Sequence, residues 1–202
     1  MRNVFEVRAV LSALLVVAAV TTGAAPISLQ KFDTNHSTIA FTVPILGTMS
    51  EVEGKFTDFA IEIAFDEQHP ETSRVKAVIH ATSVSTGIKD RDDHLRSAAF
   101  FDVAKFPDIT FQSTAIEKTS DGFVARGDFT MHGVTKPITL PFRITGEKRD
   151  AEGKTLIIAF AAQTHLNRQD FGVAWRHPVD PTFVGDDIQI RIRLITKKTP
   201  LV

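Results

Sequence analysis

Apolar residues recur at every second position along most of the chain, and this period of two limits the fold more than any other feature of the sequence. Side chains of a β-strand point to opposite faces in turn, so the pattern indicates strands with one buried face. Ile39, Phe41 and Val43 share a face in this way. We predict eight strands, at residues 38–43, 59–65, 75–81, 109–115, 123–129, 138–144, 156–162 and 188–194. The fold class is therefore all-β.

The connections between these strands are polar or contain glycine, as hairpins between antiparallel strands require. Eight antiparallel strands in one domain can close into an up-and-down barrel, whose interior holds one small ligand. A two-sheet sandwich is the alternative, because it also buries one face of every strand. The alternation of residues does not distinguish the two architectures.

Two stretches break the strand pattern. Residues 89–99 have the composition of a short charged helix, which Leu95 would pack against the sheet. Residues 168–187 contain two prolines and two glycines, too many for continuous strand pairing. We predict a long functional loop or lid there.

The first 25 residues have the features of a cleaved signal peptide. Arg2 and Arg8 flank the start, an apolar run from Ala9 to Val20 follows, and small residues precede a predicted cleavage after Ala25. The run is shorter than the roughly 20 residues needed to span a bilayer, which disfavours an uncleaved anchor. Cleavage leaves residues 26–202 as one domain, which we expect to be exported.

Charge and cysteine content exclude several classes of function. Without its first 25 residues the chain has a formal charge of −2, so nothing in it attracts nucleic acid. It contains no cysteine, so no disulfide supports the fold. None of the seven histidines forms an HxH or HExxH pair, and there is no GxSxG or glycine-rich phosphate motif. We therefore expect no enzyme activity, metal site or cofactor.

Residues 86–111 set a polar cluster directly before several phenylalanines. The cluster contains Arg91, Asp92, Asp93, His94 and Arg96, and the rings belong to Phe100, Phe101, Phe106 and Phe111. Such a junction could hold an amphiphile, with polar groups for its head and Phe rings for its tail. Alternatively, the spacing of Asp92 and Arg96 on a helix favours local ion pairs, which would make the cluster structural.

Phenylalanine supplies 15 of the 16 aromatic residues that follow residue 25, and Trp175 is the other. Phe rings suit a hydrocarbon-lined cavity because they carry no hydroxyl that would need a partner. Ordinary core packing is the alternative for any one ring. Our candidates for the cavity lining are Phe41, Phe101, Phe106, Phe111, Phe160 and Phe171.

Four segments, in the same order, resemble the YceI-like family of periplasmic polyisoprenoid-binding proteins. They are NHSTIAFTV, TGIKDRDDHLRSAAFFDVAKFPDITF, GVTKPITLPF and LNRQDFG, and the resemblance covers residues 27–196. It implies an eight-stranded lipocalin-like barrel with an elongated apolar lumen, and so decides between barrel and sandwich.

The resemblance also implies that particular residues contact a ligand. Arg91, Asp92 and His94 occupy the family's Arg-Asp-x-His-Leu motif, and Arg168 and Asp170 lie in its Asn-Arg-x-Asp-Phe-Gly block. We expect Arg168 and Asp170 to form an ion pair that orders the opening, although such a pair could simply fix the loop.

These observations predict an exported protein that sequesters or carries a polyisoprenoid, a quinone or a fatty-amide-like lipid. One alternative is a small envelope hydrolase or isomerase that uses the Arg91–His94 cluster. Another is a stress-related structural protein of the envelope. An exposed apolar strand could also form a homodimer.

Overall fold

A single antiparallel sheet contains all eleven strands in residues 29–198, the part of the chain that the computed structural model describes. The predicted signal peptide lies outside the described residues. The strands are β1 (Lys31–Phe32), β2 (Thr38–Ile45), β3 (Ser50–Phe56), β4 (Phe59–Ala64), β5 (Arg74–His80), β6 (Val84–Ser85), β7 (Asp108–Thr119), β8 (Gly122–Met131), β9 (Val134–Arg149), β10 (Leu156–Asn167) and β11 (Asp187–Lys198). The prediction of an all-β antiparallel fold is confirmed.

The sheet has eleven strands rather than the predicted eight. All eight predicted strands are present, and β1, β3 and β6 are additional. Two of these have only two residues each, too few to show a period. The third, with the sequence SEVEGKF, has only two large apolar residues, and these are four positions apart.

The sheet curls around an apolar interior. The order of strands runs β4-β5-β7-β8-β9-β10-β11-β2-β3-β6, and β1 lies beside β11. Next to β1, the backbone N–H of Gln30 donates to the carbonyl of Ile63 in β4 at 2.8 Å. The first described residues therefore link β4, at one end of this order, to β11.

Helical segments are short. The α-helix α1 (Lys89–Arg96) ends three residues before the predicted boundary, because Ser97 adopts an extended conformation. Single 3₁₀ turns lie at Thr34–His36, Leu46–Thr48, Pro70–Thr72, Ala81–Ser83 and Arg168–Phe171. No helix within residues 29–198 has both the length and the apolar character required to cross a membrane.

Phenylalanine rings fill one end of the interior. Phe65 contacts the rings of Phe123, Phe142 and Phe160 edge to face, with centroids 5.1, 5.8 and 5.4 Å away. Edge-to-face packing is a favoured arrangement of aromatic rings. We call these four residues the floor, because the cavity described next lies above them.

Candidate functional site

The curled sheet encloses a cavity of about 410 Å³. This volume lies in the range of about 300–1,000 Å³ that is typical of ligand pockets. The wall is formed almost entirely by apolar side chains. Within the described part of the chain, the lining side chains that carry a cationic, imidazole or hydroxyl group are Arg91, His94, Thr164 and Arg168.

The period of two in the sequence builds this wall. On β10, the lining residues Phe160, Ala162 and Leu166 alternate with residues that face away from the cavity. The next strand, β11, continues the wall with Ile188, Ile190, Ile192 and Leu194. Alternate residues of a strand face opposite sides, so each strand contributes every second side chain to the cavity.

The end of the cavity opposite the floor is covered by α1 and by residues 172–186, which we call the strap. The His94 ring packs edge to face against Phe100 and Trp175, at centroid distances of 5.0 and 5.2 Å. Phe100 and Trp175 are also in contact, at 5.1 Å. Aromatic contacts therefore join helix and strap at this end, which we call the mouth.

Arg168 anchors the strap from inside the protein, with only 4% of its surface exposed. Its guanidinium donates to backbone carbonyls at both ends of the strap, at distances of 2.7–3.2 Å. These acceptors are Val173, Trp175, Val184 and Gly185. It also pairs with the Asp186 carboxylate at 2.9 Å. Although burial lowers the pKa of Arg168, the Asp186 charge favours its protonated form.

The predicted ion pair between Arg168 and Asp170 is not formed. Asp170 instead pairs with Lys136 on β9, at 3.2 Å, and its side chain is largely exposed. The 3₁₀ turn at Arg168–Phe171 directs the two side chains differently, and the sequence motif alone does not reveal this turn. The pair that orders the strap joins Arg168 to Asp186.

Arg91 brings a positive charge to the cavity wall. Its Nε donates to Thr86 Oγ1 at 2.7 Å, and Nη2 donates to the Thr86 carbonyl at 3.1 Å. Among residues 29–198, no carboxylate forms an ion pair with Arg91. The guanidinium can therefore donate a hydrogen bond to an anionic or carbonyl oxygen of a ligand without breaking a salt bridge.

The carboxylates of the polar cluster are engaged within the protein. Asp92 is buried and accepts from the backbone N–H and hydroxyl of Thr86, at 2.7 and 2.6 Å. Asp93 pairs with Lys89 and Arg96. The expected local pairing thus accounts for part of the cluster, though Asp93 rather than Asp92 is the partner of Arg96. This arrangement gives no support to catalysis by these carboxylates.

The predicted site residues divide into those that line the cavity and those that do not. Phe41, Phe101, Phe111 and Phe160 line the cavity, as do Arg91, His94 and Arg168. Asp92, Phe106, Asp170 and Phe171 lie outside the lining. Phe106 packs against His132, and the buried Phe171 packs against Phe129. Contact between these lining residues and a ligand stays a prediction.

Several lining residues were not among the candidates. Phe56 and Phe100 line the cavity next to Phe41 and Phe101, and Trp175 and Phe183 reach it from the strap. The aliphatic lining residues could have been predicted, because alternation along each strand shows which side chains point inward. The two strap residues carry no periodic signal, because their segment is irregular.

Comparisons with known proteins agree on one family. The model of the YceI-like domain matches residues 30–195. A protein of Yersinia pestis called UPF0312 protein is 38% identical over 155 residues, which is 76% of this chain and 80% of that protein.

Two solved structures have the same fold. The Campylobacter jejuni YCEI protein is 30% identical, has a TM-score of 0.67, and matches over 75% of this chain and 88% of its own. A polyisoprenoid binding domain from Saccharophagus degradans has a TM-score of 0.59 and 14% identity, over 87% of this chain and all of its own.

Proposed function

Because the chain belongs to the YceI-like family, we propose that it binds a polyisoprenoid or a similar long-chain amphiphilic lipid, with the tail in the cavity and the head at the mouth. The observation that carries this proposal is the distribution of polarity. The wall is apolar from the floor upward, and Arg91 and His94 lie on the helix that covers the mouth. A lipid has the same division between tail and head.

Burial of hydrocarbon supplies the affinity in this proposal. Each methylene removed from water contributes about 0.8 kcal/mol, before the costs of ordering the ligand are subtracted. The Saccharophagus degradans domain with the same fold is described as polyisoprenoid binding, which supports an isoprenoid tail. Quinone side chains and fatty amides have comparable tails and belong to the same class of ligand.

The head group is proposed to contact Arg91 and His94. Arginine suits phosphate and carbonyl oxygens, because its donors form a planar fork. Histidine can donate or accept a hydrogen bond according to its tautomer. Phe41, Phe101, Phe111 and Phe160 are the proposed aromatic contacts of the tail.

The proposal includes a closed, lipocalin-like barrel as the carrier. The bridge between Gln30 and Ile63 supports closure, since it would complete a ring of β1, β4, β5 and β7 to β11. Closure matters because an uncovered strand edge would expose unpaired backbone groups beside an apolar cavity.

We further propose that residues 1–25 direct export to the periplasm and that residues 26–202 act there as a carrier rather than an enzyme. The apolar run from Ala9 to Val20 supports export. A homodimer is compatible with this role.

Lipid identification tests the proposal directly. The protein is purified from its own envelope without detergent, examined by native mass spectrometry, and extracted with organic solvent. We expect one long-chain isoprenoid or related lipid per protein. A protein that is empty and also fails to take up added polyprenol would overturn the proposal.

A further inference from the structure

Most of the exposed apolar side chains lie at one end of the molecule. Within residues 29–198, five large apolar residues are exposed, and four of them belong to segments around the mouth. We call these four the rim: Leu46, Met49, Ile88 and Val179. Met49 and Val179 have 86% and 87% of their surface exposed. Single exposed apolar residues are ordinary, but exposed apolar residues grouped at one end of a protein mark an interaction site.

The turn between β2 and β3 carries two rim residues and contacts the strap. The backbone N–H of Leu46 donates to the carbonyl of Phe183 at 2.9 Å, and Phe183 lines the cavity. Met49 closes the same turn through a bond from its N–H to the Leu46 carbonyl at 3.2 Å. Both residues therefore border the cavity opening.

Val179 lies on the strap itself. Its N–H donates to Nδ1 of His177 at 3.3 Å, and the His177 ring packs on Phe183 at 5.1 Å. His177 also contacts Trp175, at 6.0 Å. Two rings that line the cavity thus support the segment that presents Val179.

Ile88 immediately precedes α1 at the mouth. Its carbonyl accepts the N–H of Asp92 at 2.9 Å, which places it one turn before the cavity-lining helix residues. β6 pairs antiparallel with β3, so the chain after Ser85 runs toward the turn that carries Leu46 and Met49. The fifth exposed apolar residue, Leu29, lies beside Gln30 and Ile63, away from the strap and α1.

Opposite charges are equal in number within three positions of the rim residues: Lys89, Arg91 and Arg176 against Glu51, Asp90 and Asp180. Lys89 pairs with Asp93 on α1, and Arg176 pairs with Asp186 at 2.7 Å on the strap. The rim therefore lacks the basic cluster that attracts anionic membranes. Exposed apolar side chains with balanced charge favour shallow insertion into an uncharged lipid surface.

We propose that the rim docks on the surface of a lipid bilayer of zwitterionic or neutral composition, so that a lipid moves between bilayer and cavity without crossing water. The direction of transfer rests on the proposed function, whereas the docking surface is argued from exposure and position. With only four apolar side chains, docking is weak and reversible, as exchange of cargo requires.

Vesicle flotation tests the docking step. The probes are phosphatidylcholine vesicles. The double variant combines Met49→Ser and Val179→Ser, and Leu29→Ser is a matched apolar control away from the mouth. We expect wild type and L29S to float with the vesicles. The affinity of the double variant for the vesicles should be lower by about tenfold or more. All three should unfold at the same temperature, because these side chains are exposed.

Ligand transfer separates this inference from the proposed function. A fluorescent polyprenol is supplied either in the vesicles or from ethanol into vesicle-free buffer. We expect the double variant to lose uptake from vesicles and to retain uptake from buffer. Equal flotation of the double variant and wild type would overturn docking alone, whereas no uptake by any protein from either source would overturn the function.

A second copy of the chain is the competing occupant of the rim. If a second copy occupies the rim, analytical ultracentrifugation without vesicles should show a dimer for wild type and a monomer for the double variant. That result, together with failure of wild type to float, would assign the rim to a protein interface and overturn docking on a bilayer.

Discussion

The ring of Phe41 occupies the space in which a side chain at Gly54 would stand. The two residues face each other across β2 and β3, and a Cβ built on Gly54 would lie only 2.3 Å from Cζ of Phe41. A Cβ at Gly127 would lie 2.8 Å from the ring of Phe111 and 2.4 Å from the backbone oxygen of Gln112. Glycine on the neighbouring strand therefore lets a large ring lie within the wall and leaves the cavity open.

Replacing Gly54 with valine should push the Phe41 ring into the cavity. We expect weaker uptake of polyprenol and a loss of about 1–3 kcal/mol in the free energy of unfolding, because overpacking strains a filled site. Urea denaturation and a fluorescent polyprenol measure the two effects. The matched control is Gly146→Val, since nothing lies within 4 Å of a Cβ there. Unchanged uptake by Gly54→Val would contradict the role of the glycine.

Adjacent alanines on β10 allow the cavity to be filled selectively. Ala162 lies between Phe142 and Ile192 and lines the cavity, whereas Ala161 lies between Arg143 and Arg193 on the opposite face. Ala162→Trp should abolish lipid uptake, and Ala161→Trp should leave it intact. Circular dichroism controls for folding. Equal uptake by the two folded variants would argue against lipid in this cavity.

Arg168 should matter much more for stability than Arg176, although both contact Asp186. Replacing Arg168 with methionine leaves buried carbonyls without donors, and we expect a loss of about 3 kcal/mol or more. Arg176→Met removes a partly exposed ion pair and should cost at most about 1 kcal/mol. Urea denaturation compares the two. Similar losses would show that the strap does not depend on the buried guanidinium.

Acid should loosen the strap through Asp186. Partial burial acts to raise the pKa of Asp186, but hydrogen bonds from Arg176 and Gln169 and the two arginine charges outweigh it and leave the pKa below its ordinary value of 3.8. The ionised carboxylate therefore adds stability above the pKa of the unfolded chain. This stability is lost as pH falls through the lower folded-state pKa.

Fluorescence of Trp175 reports this change, because the chain contains no other tryptophan. We expect the emission of wild type to shift below about pH 4, and the shift to be smaller in Asp186→Asn. Asp180, whose pKa is also lowered by bonds from Thr182, titrates in both proteins and provides a common background. Identical pH curves would exclude Asp186 as the group responsible.

Arg91 should discriminate between head groups. Replacing it with alanine should weaken binding of a polyprenyl phosphate by about tenfold or more, because a charge-assisted hydrogen bond is lost. Binding of the polyprenol of equal length should change little. Arg96→Ala is the control on the same helix, since Arg96 donates to the carbonyls of Thr82 and Val84. Equal losses for both ligands would make Arg91 structural.

The strands were predictable because burial of one face imposes a period of two. The rule succeeds for long strands such as β10 and β11. It fails for β6, which is too short, and for β3, which has a glycine between its two large apolar residues. The cavity wall follows from the same period, since the inward positions are its lining.

The arrangement at the mouth was less predictable. Arg168 pairs with Asp186, which is 18 positions away, rather than with nearby Asp170. Such a choice depends on how the strap folds back, and no local pattern encodes it. Trp175 and Phe183 reach the cavity for the same reason.

The floor of Phe65, Phe123, Phe142 and Phe160 packs across one end of the cavity, and Phe142 and Phe160 line it. A lipid of the proposed class that enters tail first should stop at these rings, so we expect its depth to be measured from the floor. Each added isoprene unit then displaces the head outward by one step. We therefore expect the rings that stabilise the sheet to limit the length of the proposed ligand to the distance between the floor and Arg91.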